Sequence, residues 1–364
     1  MDKKLGVGII GASAERGWAS VSHVPAVERL AGLELVAVAS GSQEKGDAAA
    51  KAFGVRAGYA SGKDLIADAN VDIVSIAVKV PDHHELVLAA IAAGKHVYCE
   101  WPLGKDLAES EELAAAAQAA GVHVAVGLQA RANPAAKQAR SLIVSGAIGR
   151  VLSARVVSTT VAFGRSVEEA MAFAEKPENG VTLLTIQGAH TLDLMIAVLG
   201  EYAALNAMTT IQFPKVEIGD DATSQSRLIP DHILVEARLS NGGALSVEVA
   251  GGRRPEEVAF RLEVTGETGV LVLEGGAPRG FQSGRLALSL NGENQQLNEG
   301  ELASMPETAE NVAGIYAALR DDIVSGTFTA PDCQHAVRLT RMLDDVMSSS
   351  ATGTRKQATV WPKP

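Results

Sequence analysis

Short apolar runs alternating with alanine-rich segments constrain the first 130 residues more than any other feature of the chain. Residues 5–10, 33–39, 73–78, 96–99 and 122–126 read as strands, and residues 43–53, 84–93 and 107–120 between them as helices. Strands separated by helices pair in parallel through right-handed crossovers, which gives a doubly wound α/β sheet. The texture changes after Asn133-Pro134. One helix runs to about Ser145, and strand-like runs follow at 151–161, 205–211, 232–239, 244–250, 261–265 and 269–273. Asn241-Gly242-Gly243 between two alternating runs signals a hairpin. Residues 275–300, rich in Gly and Asn, suit loops and a hairpin, and residues 310–348 read as helix broken near Gly326 and Pro331. The expected architecture is a parallel N-terminal domain at 1–130 and an α+β domain at 131–364 with a large, mainly antiparallel open sheet. The last helix is expected to pack back on the first domain.

The 364 residues suffice for two cores, and 47% hydrophobic against 21% charged residues is the balance of a folded protein. With 32 basic and 43 acidic residues the net charge is −11, and no basic patch offsets it, so direct nucleic-acid binding is not expected. Cys99 and Cys333 offer neither a disulfide framework nor metal-ligand spacing, which fits a reducing compartment. Lys3 and Lys4 before an apolar run resemble a leader, but Gly6, Gly8 and Gly11 break that run. No run approaches the ~18 apolar residues of a membrane helix. The expectation is a cytoplasmic protein without membrane contact.

The segment Gly8-Ile-Ile-Gly11-Ala-Ser13-Ala-Glu-Arg16-Gly17-Trp18 stands where the first strand turns into the first helix. A pyrophosphate needs bare N–H groups at a helix start, and glycines let the backbone approach it. Relative to G-x-G-x-x-G, Ser13 replaces the second glycine and one residue is added before Gly17; an ordinary βα turn is the alternative. At the end of the second strand, where NAD-selective sites place a carboxylate, stands Ser40-Gly-Ser42-Gln-Glu-Lys45. Two hydroxyls and an ammonium suit a 2′-phosphate, so NADP(H) is expected over NAD(H). Alternatively Ser40 caps the following helix.

Together with Ala92-Ala-Gly-Lys-His-Val-Tyr-Cys-Glu-Trp-Pro102 and Gly188-Ala-His190-Thr-Leu-Asp193, these residues resemble the glucose-fructose oxidoreductase / inositol dehydrogenase / rhizopine-catabolism (Gfo/Idh/MocA) family from residue 5 to about 350. Gly17-Trp18-Ala19, Glu100-Trp101 and Asn179-Gly180-Val181 are most similar to the branch of the yeast galactose-pathway repressor, a regulator that binds the dinucleotide. The resemblance implies a Rossmann domain, a nicotinamide cofactor, a sugar-like substrate, and a homodimer or homotetramer formed through the C-terminal sheet. It implies cofactor contacts from Gly11, Ser13, Arg16, Gly17, Trp18, Ser40, Ser42, Lys45, Val78, Lys79, His83, Glu100, Trp101 and Gln129. Trp101, Gln129, Arg131 and His190 would meet substrate, and no metal is implied.

The chain departs from the family where chemistry is done. The lysine of the family's Glu-Lys-Pro is Trp101, and an indole cannot carry that proton. The acidic residue four places before the active-site histidine is Ile186, and the family's Thr-Pro-Asn is Val78-Lys79-Val80. His190 either exchanges the substrate's hydroxyl proton or braces its helix with Asp193 one turn on. Lys79 replaces the lost lysine, orients the cofactor amide or is a solvated charge. Trp101 reads as a pocket wall, and Arg131 as a substrate contact or an anchor. His83, His84 and Glu85 point about 100° apart around a helix, which suits a polar helix start better than a metal. Three functions compete: an NADP(H)-dependent sugar oxidoreductase with His190, Lys79 and Asp193 as catalytic group, a dinucleotide-sensing regulator with a protein partner, and an NAD-assisted glycosidic elimination.

Overall fold

The strand β1 (Leu5–Ile10) is buried at every residue after Leu5, as a strand covered on both faces must be. It sits inside a six-stranded parallel sheet with β2 (Leu33–Ala39), β3 (Ala57–Tyr59), β4 (Ile73–Ile76), β5 (His96–Glu100) and β6 (Val124–Gly127), in the order β3-β2-β1-β4-β5-β6. The order reverses between β1 and β4, so the loop after β1 lies at the switch point where such sheets bind ligands. The crossovers are α1 (Val24–Arg29), α2 (Gln43–Phe53), α3 (Gly62–Ile66), α4 (His83–Ala92) and α5 (Leu107–Ala120). Ser42, Ser61 and Asp106 cap α2, α3 and α5 by accepting a backbone N–H. This is the Rossmann arrangement.

The second sheet has nine strands. Helix α6 (Pro134–Val144) precedes β7 (Val151–Thr159), β8 (Ser166–Val167), α7 (Ala189–Leu199), β9 (Tyr202–Thr210), β10 (Lys215–Ile218), β11 (Thr223–Ser226), β12 (His232–Leu239) and β13 (Ala244–Ala250). Next come β14 (Phe260–Gly266), β15 (Val270–Gly275), β16 (Leu286–Leu290), β17 (Glu293–Asn294), α8 (Glu307–Ser325), α9 (Cys333–Thr352) and β18 (Lys356–Gln357). The order is β17-β16-β15-β14-β7-β13-β12-β9-β18, antiparallel except between β7 and β13. Along β12, Ile233, Val235, Ala237 and Leu239 are buried while Glu236 and Arg238 are exposed, the alternation of a sheet with one covered face. Burial of each of Ile233, Val235 and Leu239 adds about 1.5–3 kcal/mol.

The computed structural model describes residues 4–15, 17–219 and 223–358. They form two compact units, one of the residues up to Gln129 with Glu299–Arg338 and one of Ala130–Asn298 with the residues from Leu339 on. Helix α8 belongs to the first unit and buries Ala309, Val312, Ala313, Tyr316 and Leu319, one stripe of a 3.6-residue period. The expected third strand stops at Ile76 because Val80–Asp82, with Pro81, forms a 3₁₀ turn. The sequence reading lacks β3, α3 and the small sheet β11-β10-β8, whose two to five residues are too few to set a period. One helical stretch, Pro177–Leu199, is long and apolar enough to cross a bilayer, but 72% of its most apolar window is buried inside the protein, as in a core helix.

Candidate dinucleotide and substrate site

After β1 the chain turns at Gly11, whose φ is +96°. A Cβ there would fall 2.4 Å from the carbonyl oxygen of Ala77, so no side chain fits at the switch point. The loop closes on itself through Ser20 Oγ, which donates to the Ser13 carbonyl at 2.5 Å. Ala14, Glu15 and Gly17 are exposed, and a π-helical turn, Ala19–His23, leads into α1. Arg16 lies outside the described residues. The following side chain, Trp18, donates from its indole Nε1 to Glu100 Oε2 at 3.1 Å. The other oxygen, Oε1, lies 3.0 Å from Nε2 of His23. Nδ1 of that buried ring meets Tyr316 Oη at 2.9 Å and Ser75 Oγ at 3.1 Å. His23, Ser75 and Tyr316 are absent from the sequence reading, because an apolar-flanked histidine, a strand serine and a C-terminal helix tyrosine carry no joint signal.

At the end of β2, Ser42 is the helix cap: its Oγ accepts from the Lys45 N–H at 3.3 Å. Ser40, expected as the alternative cap, instead donates its backbone N–H to Tyr59 O at 3.1 Å. Both serine side chains are half-buried, Lys45 is exposed, and no carboxylate stands among residues 39–43. After β4, Val78 is half-buried and Lys79 exposed. His83 is buried, with Nδ1 2.7 Å from Pro102 O and Nε2 3.1 Å from Val78 O. Burial pushes this imidazole below its usual range, outweighing the two carbonyls that favour its charge. The neutral ring has one N–H to donate, to one of these two carbonyls, and it fills the space between the end of β4 and the turn after β5. His84 pairs with Glu112 and Glu85 with Lys63, so the trio points three ways.

Trp101, joined to Pro102 by a cis peptide, is buried. Gln129 is 3% exposed, and its Oε1 has no hydrogen-bond partner among the described residues. A buried acceptor of this kind suits a carboxamide or hydroxyl donor from a ligand. With the side-chain-free turn at Gly11, it makes the first unit fit a nicotinamide dinucleotide.

In the second unit a π-helical turn, Leu184–Gly188, runs into α7, whose second residue is His190. The turn is pinned by Gln187 Nε2 and Thr191 Oγ1, each donating to Ser158 Oγ at 2.8 Å. His190 is 5% exposed and Asp193 fully buried. Arg131 donates from Nε to Asp193 Oδ2 at 3.0 Å, which pairs it with a residue read from sequence as the companion of His190 and a member of the catalytic group. Ile186 places no carboxylate on this helix.

Residues 5–128 match the family described as "Oxidoreductase family, NAD-binding Rossmann fold", and residues 134–275 match "Gal80p, C-terminal domain". Dehydrogenase aclE of Aspergillus oryzae is 34% identical over 290 residues, 76% of this chain and 78% of its own. The galactose/lactose metabolism regulatory protein GAL80 of Saccharomyces cerevisiae is 28% identical over 297 residues, 74% of this chain and 67% of its own. The crystal structure of a super-repressor mutant of the same yeast protein superposes with a TM-score of 0.85 at 24% identity, over 97% of this chain and 98% of that one. A levoglucosan dehydrogenase solved with NADH and L-sorbose gives 0.83 at 21% identity, over 98% and 99%. The parallel sheet with its glycine turn and the nine-stranded partner sheet are thus those of a known lineage, and the chain belongs to the Gfo/Idh/MocA oxidoreductase family, close to its Gal80 branch.

Proposed function

We propose that this protein is an NADP(H)-dependent oxidoreductase that interconverts a secondary carbinol and a carbonyl on a sugar or sugar-derived polyol. The observation that carries the proposal is His190, buried at the start of α7 one helical turn from an aspartate whose charge Arg131 offsets. An imidazole ordinarily titrates near neutrality and is suited to exchange a proton there. A bound nicotinamide supplies the carbon that accepts or donates hydride. Gly11, Ser13 and Gly17 present backbone to its pyrophosphate, and Gln129 offers Oε1 to its amide or to a substrate hydroxyl. As the carbonyl forms, His190 takes the proton from the carbinol oxygen, and it returns the proton in the reverse direction. Lys79 is the second proton carrier, and buried Trp101 is an apolar wall that excludes water. Ser40, Ser42 and Lys45, with no carboxylate among residues 39–43, support the 2′-phosphate. The dehydrogenase names of aclE and the levoglucosan enzyme support the reaction class. The proposal places the protein in the cytoplasm as a homodimer or homotetramer formed through the nine-stranded sheet, whose exposed Val157 and Met208 suit an interface. Incubation with NADP(H) or NAD(H) and a panel of sugars, followed by absorbance of the reduced cofactor, tests it.

Trp101 and Ile186 favour a second reading, in which the dinucleotide is sensed and a protein partner bound, as does the Gal80p C-terminal match. A protein that binds NADP(H) but turns over no sugar selects that reading.

A further inference from the structure

We infer that Glu100 is a positioning residue of the dinucleotide loop: clamped between His23 and Trp18, it fixes the indole with which the loop ends. A carboxylate only accepts hydrogen bonds, and an indole N–H only donates. Glu100 Oε2 therefore takes the Trp18 proton, and Oε1 takes a proton from His23 Nε2. In the tautomer protonated at Nε2, Nδ1 is an acceptor. The hydroxyls supply its donor: Tyr316 donates to Ser75 Oγ at 2.8 Å, and Ser75 lies 3.1 Å from Nδ1. The chain of donors runs one way, from α8 through β4 to the π-helical turn before α1 and on to β5.

The packing leaves the ring little freedom. Tyr98 and Tyr316 stand edge-on to His23 with centroids 5.0 and 5.6 Å away. His23, Ser75 and Tyr316 are each fully buried, whereas the Glu100 side chain keeps 16% exposure, which limits the cost of its charge. Gly127 on β6 makes room for it: a Cβ there would fall 2.9 Å from Glu100 Oε1. Trp18 follows the exposed stretch of the loop and ties it to β5. A glutamate read from sequence as a cofactor contact thus acts through the indole, and α8, whose Tyr316 lies 293 residues beyond His23, holds the other end of the clamp.

The inference rests on the reading that this loop binds a dinucleotide, and indole NMR separates the two. The three tryptophans, Trp18, Trp101 and Trp361, give three indole N–H signals, with Trp18 assigned through Trp18→Phe. In the ligand-free protein the Trp18 signal is expected to be protected from exchange, and Glu100→Ala, which removes both acceptor oxygens, is expected to abolish that protection. The same substitution is expected to weaken NADP(H) binding about tenfold, the loss of a charge-assisted bond. The losses from Trp18→Phe and Glu100→Ala are expected not to add, because both break one clamp. A folded Glu100→Ala protein with a protected Trp18 indole, or additive losses in the pair, overturns the inference. If the wild-type protein binds no dinucleotide, the proposed function fails while the indole signal still decides the clamp.

Discussion

Arg131 Nε donates to Asp193 Oδ2 at 3.0 Å, joining residues 62 apart in sequence, and the aspartate is fully buried while the arginine side chain keeps 20% exposure. A buried carboxylate is costly without its cation. The pair therefore sets the charge beside His190 and is a stability element as well as part of the candidate site.

Arg131→Ala is expected to destabilise the protein by about 3 kcal/mol, because it removes the cation that offsets the buried Asp193 charge. Replacing both partners, as in Arg131→Met with Asp193→Leu, is expected to recover much of the loss. Urea denaturation of the three proteins measures both effects, and a double variant less stable than Arg131→Ala would count against the pairing.

Acid stability follows from Asp68. Burial pushes its carboxyl up, but the N–H and amide of Asn70, the Tyr59 hydroxyl and Arg56 outweigh it and bring the group from 3.8 down to about 2. A depressed folded value means stability present above the unfolded value and lost as pH falls through the folded one. Asp68→Asn is therefore expected to remove up to about 2 kcal/mol at neutral pH and to flatten the loss between about pH 4 and 2. Thermal melts across that range test it.

Cofactor choice is expected to turn on the end of β2. A carboxylate at position 40 repels a 2′-phosphate and accepts from a ribose hydroxyl, so Ser40→Asp should shift preference from NADP(H) to NAD(H). Titration of both cofactors against both proteins gives the answer, and an unchanged preference would remove Ser40 from the ribose site.

Much of the fold is legible because β1, β2, α2, α5, β12 and β13 each carry a full period of apolar residues or a capping signal. The short strands β3, β8, β10 and β11 carry neither, and only their neighbours in the sheet make them strands. At the site, Trp18 and Glu100 stand out as single residues, but the bond between them spans 82 positions. Contacts between elements leave no periodic trace. The same is true of His23 with Tyr316 and of Arg131 with Asp193.

Restoring the family lysine alone should not create a good enzyme, since position 186 is still isoleucine and offers no carboxylate. Trp101→Lys is expected to raise turnover by less than about a hundredfold, or about 2.7 kcal/mol of barrier. Steady-state rates on any accepted sugar would show whether the pocket depends on the indole.

The decisive comparison sets binding against turnover in His190→Ala. In the proposed function the loop from Gly11 to Trp18 carries the dinucleotide, so NADP(H) affinity should stay close to wild type while turnover falls by roughly 10²–10⁴, the usual share of acid-base catalysis. Wild-type protein that binds NADP(H) tightly, turns over none of a broad sugar panel, and changes only in affinity on His190→Ala and Lys79→Ala would contradict the oxidoreductase and establish a sensor.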